Sequence, residues 1–218
     1  MHGYQSFGKS FYYQLDYLGR DFEVFAPDLK GFGQNADMEY PYSLDEYILE
    51  VREYMDKNGI VNPSVVAHSF GGRIVLKGVA TKKLQFNKLV LTGCAGLKGK
   101  TTLKKAVKKT AFRLLKPFFN KESLKMCYSK DYLALSPVMK ESFKLIVNEY
   151  LDCYLSEIEN KTLIIHGKRD KEVPIYLARK LNFGIKNSQL SIYDGVGHFC
   201  FLEKPIKFST EVKEFLLS

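Results

Sequence analysis

The stretch Pro63-Ser64-Val65-Val66-Ala67-His68-Ser69-Phe70-Gly71-Gly72-Arg73 decides the fold. Its first five residues are short, apolar and β-prone, and read as a strand. From Arg73 to Thr81 the apolar spacing becomes helical. Between the two lies a serine flanked, two positions away on either side, by small residues, Ala67 and Gly71. A serine on so tight a strand-to-helix turn has a strained backbone, and bulky neighbours at those positions would collide with it. Alanine at 67 replaces the more usual glycine and is still small. The helix starting just after Ser69 aims backbone N–H groups at the turn, an arrangement that suits developing negative charge. Taken alone, the motif is also compatible with a glycine-rich turn of no chemical role.

Upstream, Phe22–Ala26 reads as a strand closed by Pro27-Asp28, and Leu29-Lys30-Gly31-Phe32-Gly33 as a glycine-punctuated turn. Ser43 and Glu46 form a capping box. Leu44, Tyr47, Ile48, Val51, Tyr54 and Met55 then recur at helical spacing up to Asn58-Gly59. Downstream, strands are expected at Lys88–Thr92, Thr162–His166 and Gln189–Tyr193. Helices are expected at Pro174–Phe183 and Pro205–Leu217. This alternation predicts an α/β fold, a mostly parallel sheet flanked by helices. Residues 98–160 break the rhythm and look mostly helical, so the core is expected over 1–97 and 161–218, with 98–160 as a helical cap.

Two further residues follow strands on the same expected sheet edge. Asp170, in Gly167-Lys168-Arg169-Asp170, can orient and stabilise a histidine, with Glu172 as the fallback acid. His198, in Gly195-Val196-Gly197-His198, sits in a glycine-flanked loop able to bring an imidazole towards Ser69. A lone aspartate in a turn or a lone loop histidine is more often structural. Together they give the chain order Ser69, Asp170, His198 expected of one particular fold. At the N-terminus, His2-Gly3-Tyr4 can present the Tyr4 N–H to an oxyanion, with the Phe70 N–H as second donor. His68, beside the serine, is either structural or a substrate-binding, pocket-lining residue.

The 218 residues are 45% hydrophobic and 26% charged, which excludes a disordered or low-complexity chain. No apolar run approaches the roughly 20 residues needed to span a bilayer. Met1-His2-Gly3-Tyr4 does not open a signal peptide. The scattered Cys94, Cys127, Cys153 and Cys200 read as reduced thiols of a cytoplasmic protein, not as a zinc site. The net charge is +9, and it is local: between Lys98 and Lys130, eleven lysines and arginines face the single Glu122. Leu103, Ala106, Val107, Thr110, Ala111, Leu114, Leu115 and Phe118 put an apolar stripe on this basic segment. The simplest reading is a lid with solvated lysines. The alternatives are weak contact with an anionic membrane surface and attraction of acidic substrates. No recognition motif accompanies the charge, so nucleic acid is not an expected partner.

Together, His2-Gly3, Pro27-Asp28-Leu29-Lys30-Gly31-Phe32-Gly33, Ala67 to Gly72, Asp170 and Gly197-His198 resemble the α/β-hydrolase superfamily, most closely its lidded, esterase-type bacterial members. The likeness covers nearly all of the chain outside 98–160. It implies a serine hydrolase cleaving carboxylic esters through a Ser-His-Asp triad and an acyl-enzyme. It further implies a small-molecule ester as partner and no metal or organic cofactor. The rivals are cleavage of another bond (C–C, amide or lactone) on the same fold, and a non-catalytic binding protein. One departure is large. Only Met1 precedes His2, where family members carry strands one to three, the third lying between the fourth and fifth. The expectation is therefore an N-terminally shortened form of a longer protein, weakly stable and weakly active alone. The alternative is direct closure of the strands at 22–26 and 64–67. Oligomeric state is not legible.

Overall fold

The computed structural model of the chain describes residues 1–100 and 130–218. A 3-10 turn at Gly8–Phe11 leads into helix α1 (Tyr12–Leu18). There follow α2 (Leu44–Lys57), β1 (Val65–His68), α3 (Phe70–Ala80) and β2 (Lys88–Thr92). Next come α4 (Lys130–Ala134), α5 (Pro137–Asn148) and a 3-10 turn at Asp152–Glu157. The chain closes with β3 (Lys161–Gly167), α6 (Ile175–Gly184), β4 (Ser188–Tyr193), α7 (Cys200–Glu203) and α8 (Pro205–Leu217). Among the described residues no helix is long and apolar enough to cross a membrane.

The four strands form one parallel sheet in the order β1-β2-β3-β4. Alternate residues of a strand point to opposite faces, and both faces of this sheet are buried, as in parallel sheets generally. Leu89, Leu91 and Ile164 enter one core, shared with Leu44, Ile48, Ile74 and Leu181 of α2, α3 and α6. Val90, Leu163 and Ile165 enter the other, shared with Phe11, Leu18, Phe208 and Val212 beside α1 and α8. Because every strand runs the same way, the loops leaving β1, β2, β3 and β4 all emerge at one edge, where ligands bind in sheets of this kind. The capping box at α2 is present: Ser43 Oγ accepts from the Asp45 N–H, and Glu46 accepts the Ser43 N–H at 2.7 Å.

The expected strand at Phe22–Ala26 does not form, and neither does its direct closure on β1. A strand needs a ladder partner for its backbone groups. At the open edge of β1 the neighbour is Met1. Its amino group donates to Val66 O at 2.5 Å, and its carbonyl accepts the His68 N–H at 3.0 Å. Residues 22–26 therefore run outside the sheet, with Ala26 packed against Gly8.

Residues 130–157 are helical apart from short connections, and they are tied to the core at several points. The buried Arg73 of α3 donates from Nη1 to Ile146 O (2.7 Å) and Glu149 O (2.9 Å), capping the carboxyl end of α5. Lys77 pairs with Asp45 and Glu149, both at 2.6 Å. The Leu151 N–H reaches Gly96 O at 3.0 Å, and the Lys98 N–H reaches Asp152 Oδ2 at 2.9 Å. The apolar stripe Leu103–Phe118 and most of the basic segment lie outside the described residues.

Candidate active site

Ser69 sits between β1 and α3 with φ 47° and ψ −105°. A non-glycine residue held there costs about 1–3 kcal/mol, and such strain persists only where the surroundings over-determine it. They do so here through the backbone. The Ser69 N–H donates to Thr92 O at 3.0 Å, and its carbonyl accepts from Gly72 (3.1 Å) and Ala95 (3.3 Å). The small residue at 71 now has a specific reason. A Cβ there would lie 2.8 Å from both the Met1 and the His2 carbonyls, so Gly71 lets the N-terminal loop pass over the turn.

Asp170 and His198 are joined directly. His198 Nδ1–H donates to Asp170 Oδ2 at 2.7 Å. The other carboxylate oxygen accepts the N–H groups of Glu172 (2.9 Å) and Val173 (2.8 Å). Burial alone would raise the Asp170 pKa. The His198 bond and the Val173 N–H outweigh it and hold the carboxyl below the usual range. Glu172, the fallback acid, is exposed and contributes only its N–H, because Asp170 occupies the inward position of the turn.

The two loops meet because of glycines and backbone bonds. The Lys168 N–H donates to Tyr193 O at 2.9 Å and the Arg169 N–H to Val196 O at 2.8 Å. A Cβ on Gly167 would collide with the carbonyls of Val196 and Gly197. Gly93, at φ 51°, lets the His198 ring lie over the end of β2, since a Cβ would fall 3.0 Å from the ring. Two supporting residues carried no role in the sequence reading. His166 donates Nε2–H to Val173 O at 2.8 Å and steadies the Asp170 turn. Glu203 accepts the Gly197 N–H on both oxygens at 3.0 Å and steadies the histidine loop. Glycines at strand ends, Gly93 and Gly167, were the available signal for the crossing.

The His2-Gly3-Tyr4 loop lies against the serine turn. His2 is fully buried, and both ring nitrogens are used. Nε2 accepts the Leu29 N–H at 3.0 Å, so Nδ1 carries the proton and donates to Gly3 O at 2.8 Å. Burial pushes its pKa down to about 4, which keeps the ring neutral. A Cβ on Gly3 would come within 3.5 Å of Ser69 Cβ. The Tyr4 ring packs edge-on against Phe32, Phe70 and Phe143, and its hydroxyl donates to Met139 O of α5 at 3.0 Å. Among the described backbone hydrogen bonds, neither the Tyr4 nor the Phe70 N–H has a protein acceptor.

His68 is 2% exposed and its Nε2–H donates to His198 O at 3.1 Å, which supports the structural of its two expected readings. The last residue of β1 packs its ring against those of Phe199 and Phe201. Among the described residues no group of three or more His, Cys, Asp or Glu could hold a metal ion. Cys94, Cys153 and Cys200 are free thiols, and burial pushes Cys94 and Cys200 up to about 12. A cavity of about 620 Å³ lies between the Asp28 turn and α2, lined by Phe7, Asp28, Gln34, Glu50 and Tyr54, and touches none of Ser69, Asp170 and His198.

A sequence model described as the alpha/beta hydrolase fold matches residues 1–114. A 2-hydroxymuconate semialdehyde hydrolase of Pseudomonas putida is 27% identical over 217 residues, covering 88% of this chain and 76% of that protein. A meta-cleavage product hydrolase from Pseudomonas fluorescens superposes with a TM-score of 0.74 at 25% identity, over 99% of this chain and 88% of the other. An esterase from Exiguobacterium antarcticum superposes at 0.78 with 23% identity, over 100% and 90% of the two chains.

Proposed function

Because this chain belongs to the alpha/beta hydrolase fold family, we propose that it is a serine hydrolase cleaving carboxylic esters of small molecules. The observation that carries the reading is the 2.7 Å bond from His198 to the buried Asp170, at the sheet edge where Ser69 occupies a strained turn. In this reading Ser69 Oγ attacks the ester carbonyl, and His198 Nε2, the ring nitrogen not committed to Asp170, takes its proton. Asp170 fixes the tautomer and stabilises the imidazolium. The Tyr4 and Phe70 N–H groups receive the oxyanion, each donor contributing about 2.7–4 kcal/mol to the transition state. His198 then protonates the leaving alcohol and activates the water that breaks the acyl-enzyme. In this reading the expected cap shapes the acyl pocket; of it, residues 130–157 are described, tied to the core through Arg73 and Lys77.

A second reading uses the same residues on a carbon–carbon bond beside a ketone. The name of the P. putida relative, a hydrolase of 2-hydroxymuconate semialdehyde, favours it. An assay of aryl esters beside a keto-dienoic acid panel separates the two. Ser69→Ala is expected to lower kcat on the accepted substrate by about 10⁶-fold, and labelling by a fluorophosphonate is expected to cease. Retained turnover in that variant removes Ser69 from the role.

A further inference from the structure

The nucleophile and the base come from strands separated in the sheet by β2 and β3, so something must set their relative position. The backbone of Ser69 is bonded to Thr92 and Ala95, and the His198 side chain to Asp170, but none of these bonds joins the two loops. The side chain of His68, the residue before the serine, does. Its ring centroid lies 4.6 Å from that of His198, 5.2 Å from Phe199 and 5.1 Å from Phe201. A carbonyl only accepts, so the 3.1 Å contact to His198 O places the proton on Nε2. That leaves Nδ1 as a bare acceptor, and it is buried without a partner, facing Gly3, where a Cβ would fall 2.7 Å away. Leaving a buried polar atom unpaired costs about 1–3 kcal/mol, so the ring is retained at a price. Phenylalanine would fill the same aromatic slot without that cost, and the Nε2–H is what it would lack.

We infer that His68 is a positioning residue whose Nε2–H, bonded to the His198 carbonyl, holds the catalytic imidazole in register with Ser69. The catalytic half of this statement rests on the serine-hydrolase reading above; the structural half does not. Burial and the neighbouring His198 push the His68 pKa down to about 3, consistent with a permanently neutral strut that takes no proton during turnover. Removing the strut lets the 198 loop drift while the Asp170 side stays in place. A misplacement of about 1 Å costs on the order of 10²-fold in rate.

The test uses the whole chain. His68→Phe keeps the ring stack and loses the donor; His68→Gln places an amide N–H where Nε2 was. The expected result is a fall in kcat of about 10- to 100-fold in His68→Phe with KM within twofold, and recovery of most of that loss in His68→Gln. The downfield NMR signal of the His198 Nδ1 proton is expected to broaden or shift in His68→Phe and to return in His68→Gln. In the unaltered protein, nitrogen-15 shifts are expected to show His68 with Nε2 protonated and Nδ1 bare. An unchanged kcat and proton signal in His68→Phe, or a His68→Gln no better than His68→Phe, overturns the proposal. The opposite tautomer in the unaltered protein overturns it even if neither variant folds. The NMR arms repeated in Ser69→Ala read the strut without turnover, so failure of the hydrolase assignment and failure of the strut give different results.

Discussion

The two halves of the candidate site are held in place by different physics. The half that carries Ser69, the proposed nucleophile, is built from main chain: Ser69 at φ 47°, with its backbone bonded at both ends and a glycine at 71 admitting the N-terminal loop. The Ser69 side chain makes no capping hydrogen bond to α3. The half that carries Asp170 and His198, the proposed acid and base, adds side-chain bonds to backbone ones. Asp170 and His198 are bonded across loops that follow two different strands, while His166 and Glu203 each bond a backbone group of their own loop. Strain confined to a few consecutive residues resists small changes in surroundings. A network spread from 166 to 203 transmits them, and variants in the second half should reach the chemistry from further away.

Three substitutions sharpen that contrast. The largest effect is expected from Asp170→Asn, which keeps the size of the side chain but removes the charge that fixes the His198 tautomer. A fall in kcat on the order of 10⁴-fold is expected with the melting temperature nearly unchanged. A loss under tenfold, measured in steady-state assays, would mean that the base does not depend on the acid. Gly93→Ala tests the crossing point of the two halves. The new methyl lies 3.0 Å from the His198 ring on a backbone at φ 51°, so about 1–2 kcal/mol of stability and roughly 10²-fold in kcat should be lost together. Urea unfolding alongside kinetics reads both, and a stability loss with full activity would show that the ring had room to move.

Glu50 belongs to neither half and has the smallest expected effect. Burial pushes its pKa up to about 7, whereas an unfolded glutamate titrates near 4.3. The folded state therefore holds the proton more tightly between those values. The contribution to stability is full below pH 4.3 and is lost as pH rises through 7. Glu50→Gln removes that loss. Because the side chain is only partly buried and is screened by solvent, the gain should be about 1 kcal/mol at pH 8, none at pH 4, with unchanged activity. Urea midpoints at the two pH values check it, and an equal shift at both would assign the effect to packing.

Much of this arrangement was legible before the structure. The turn at Ser69 is a contiguous pattern of small residues between a strand and a helix, so local sterics reveal it. Asp170 and His198 are single residues, but each follows a strand in a parallel sheet, and the common direction of those strands carries them to one edge. The partners that hold them were not legible. Nothing in the spacing of His166 or Glu203 says that one steadies Val173 and the other Gly197, because those bonds depend on where two loops cross. The same holds for His68, whose role depends on a carbonyl 130 residues away. The strand expected at Phe22–Ala26 failed for a related reason: β-propensity is local, but a strand exists only beside another strand.

The bonds from Leu151 to Gly96 and from Lys98 to Asp152 bring two points of the chain about fifty residues apart into contact. Whatever joins them begins and ends at nearly the same place on the scaffold. Closing a longer or shorter connection there changes the entropy cost by only about 0.6 kcal/mol per doubling. Those junctions thus behave as a socket: a change in the length of the stretch between them is expected to leave the scaffold beneath in place, and urea unfolding of length variants checks it.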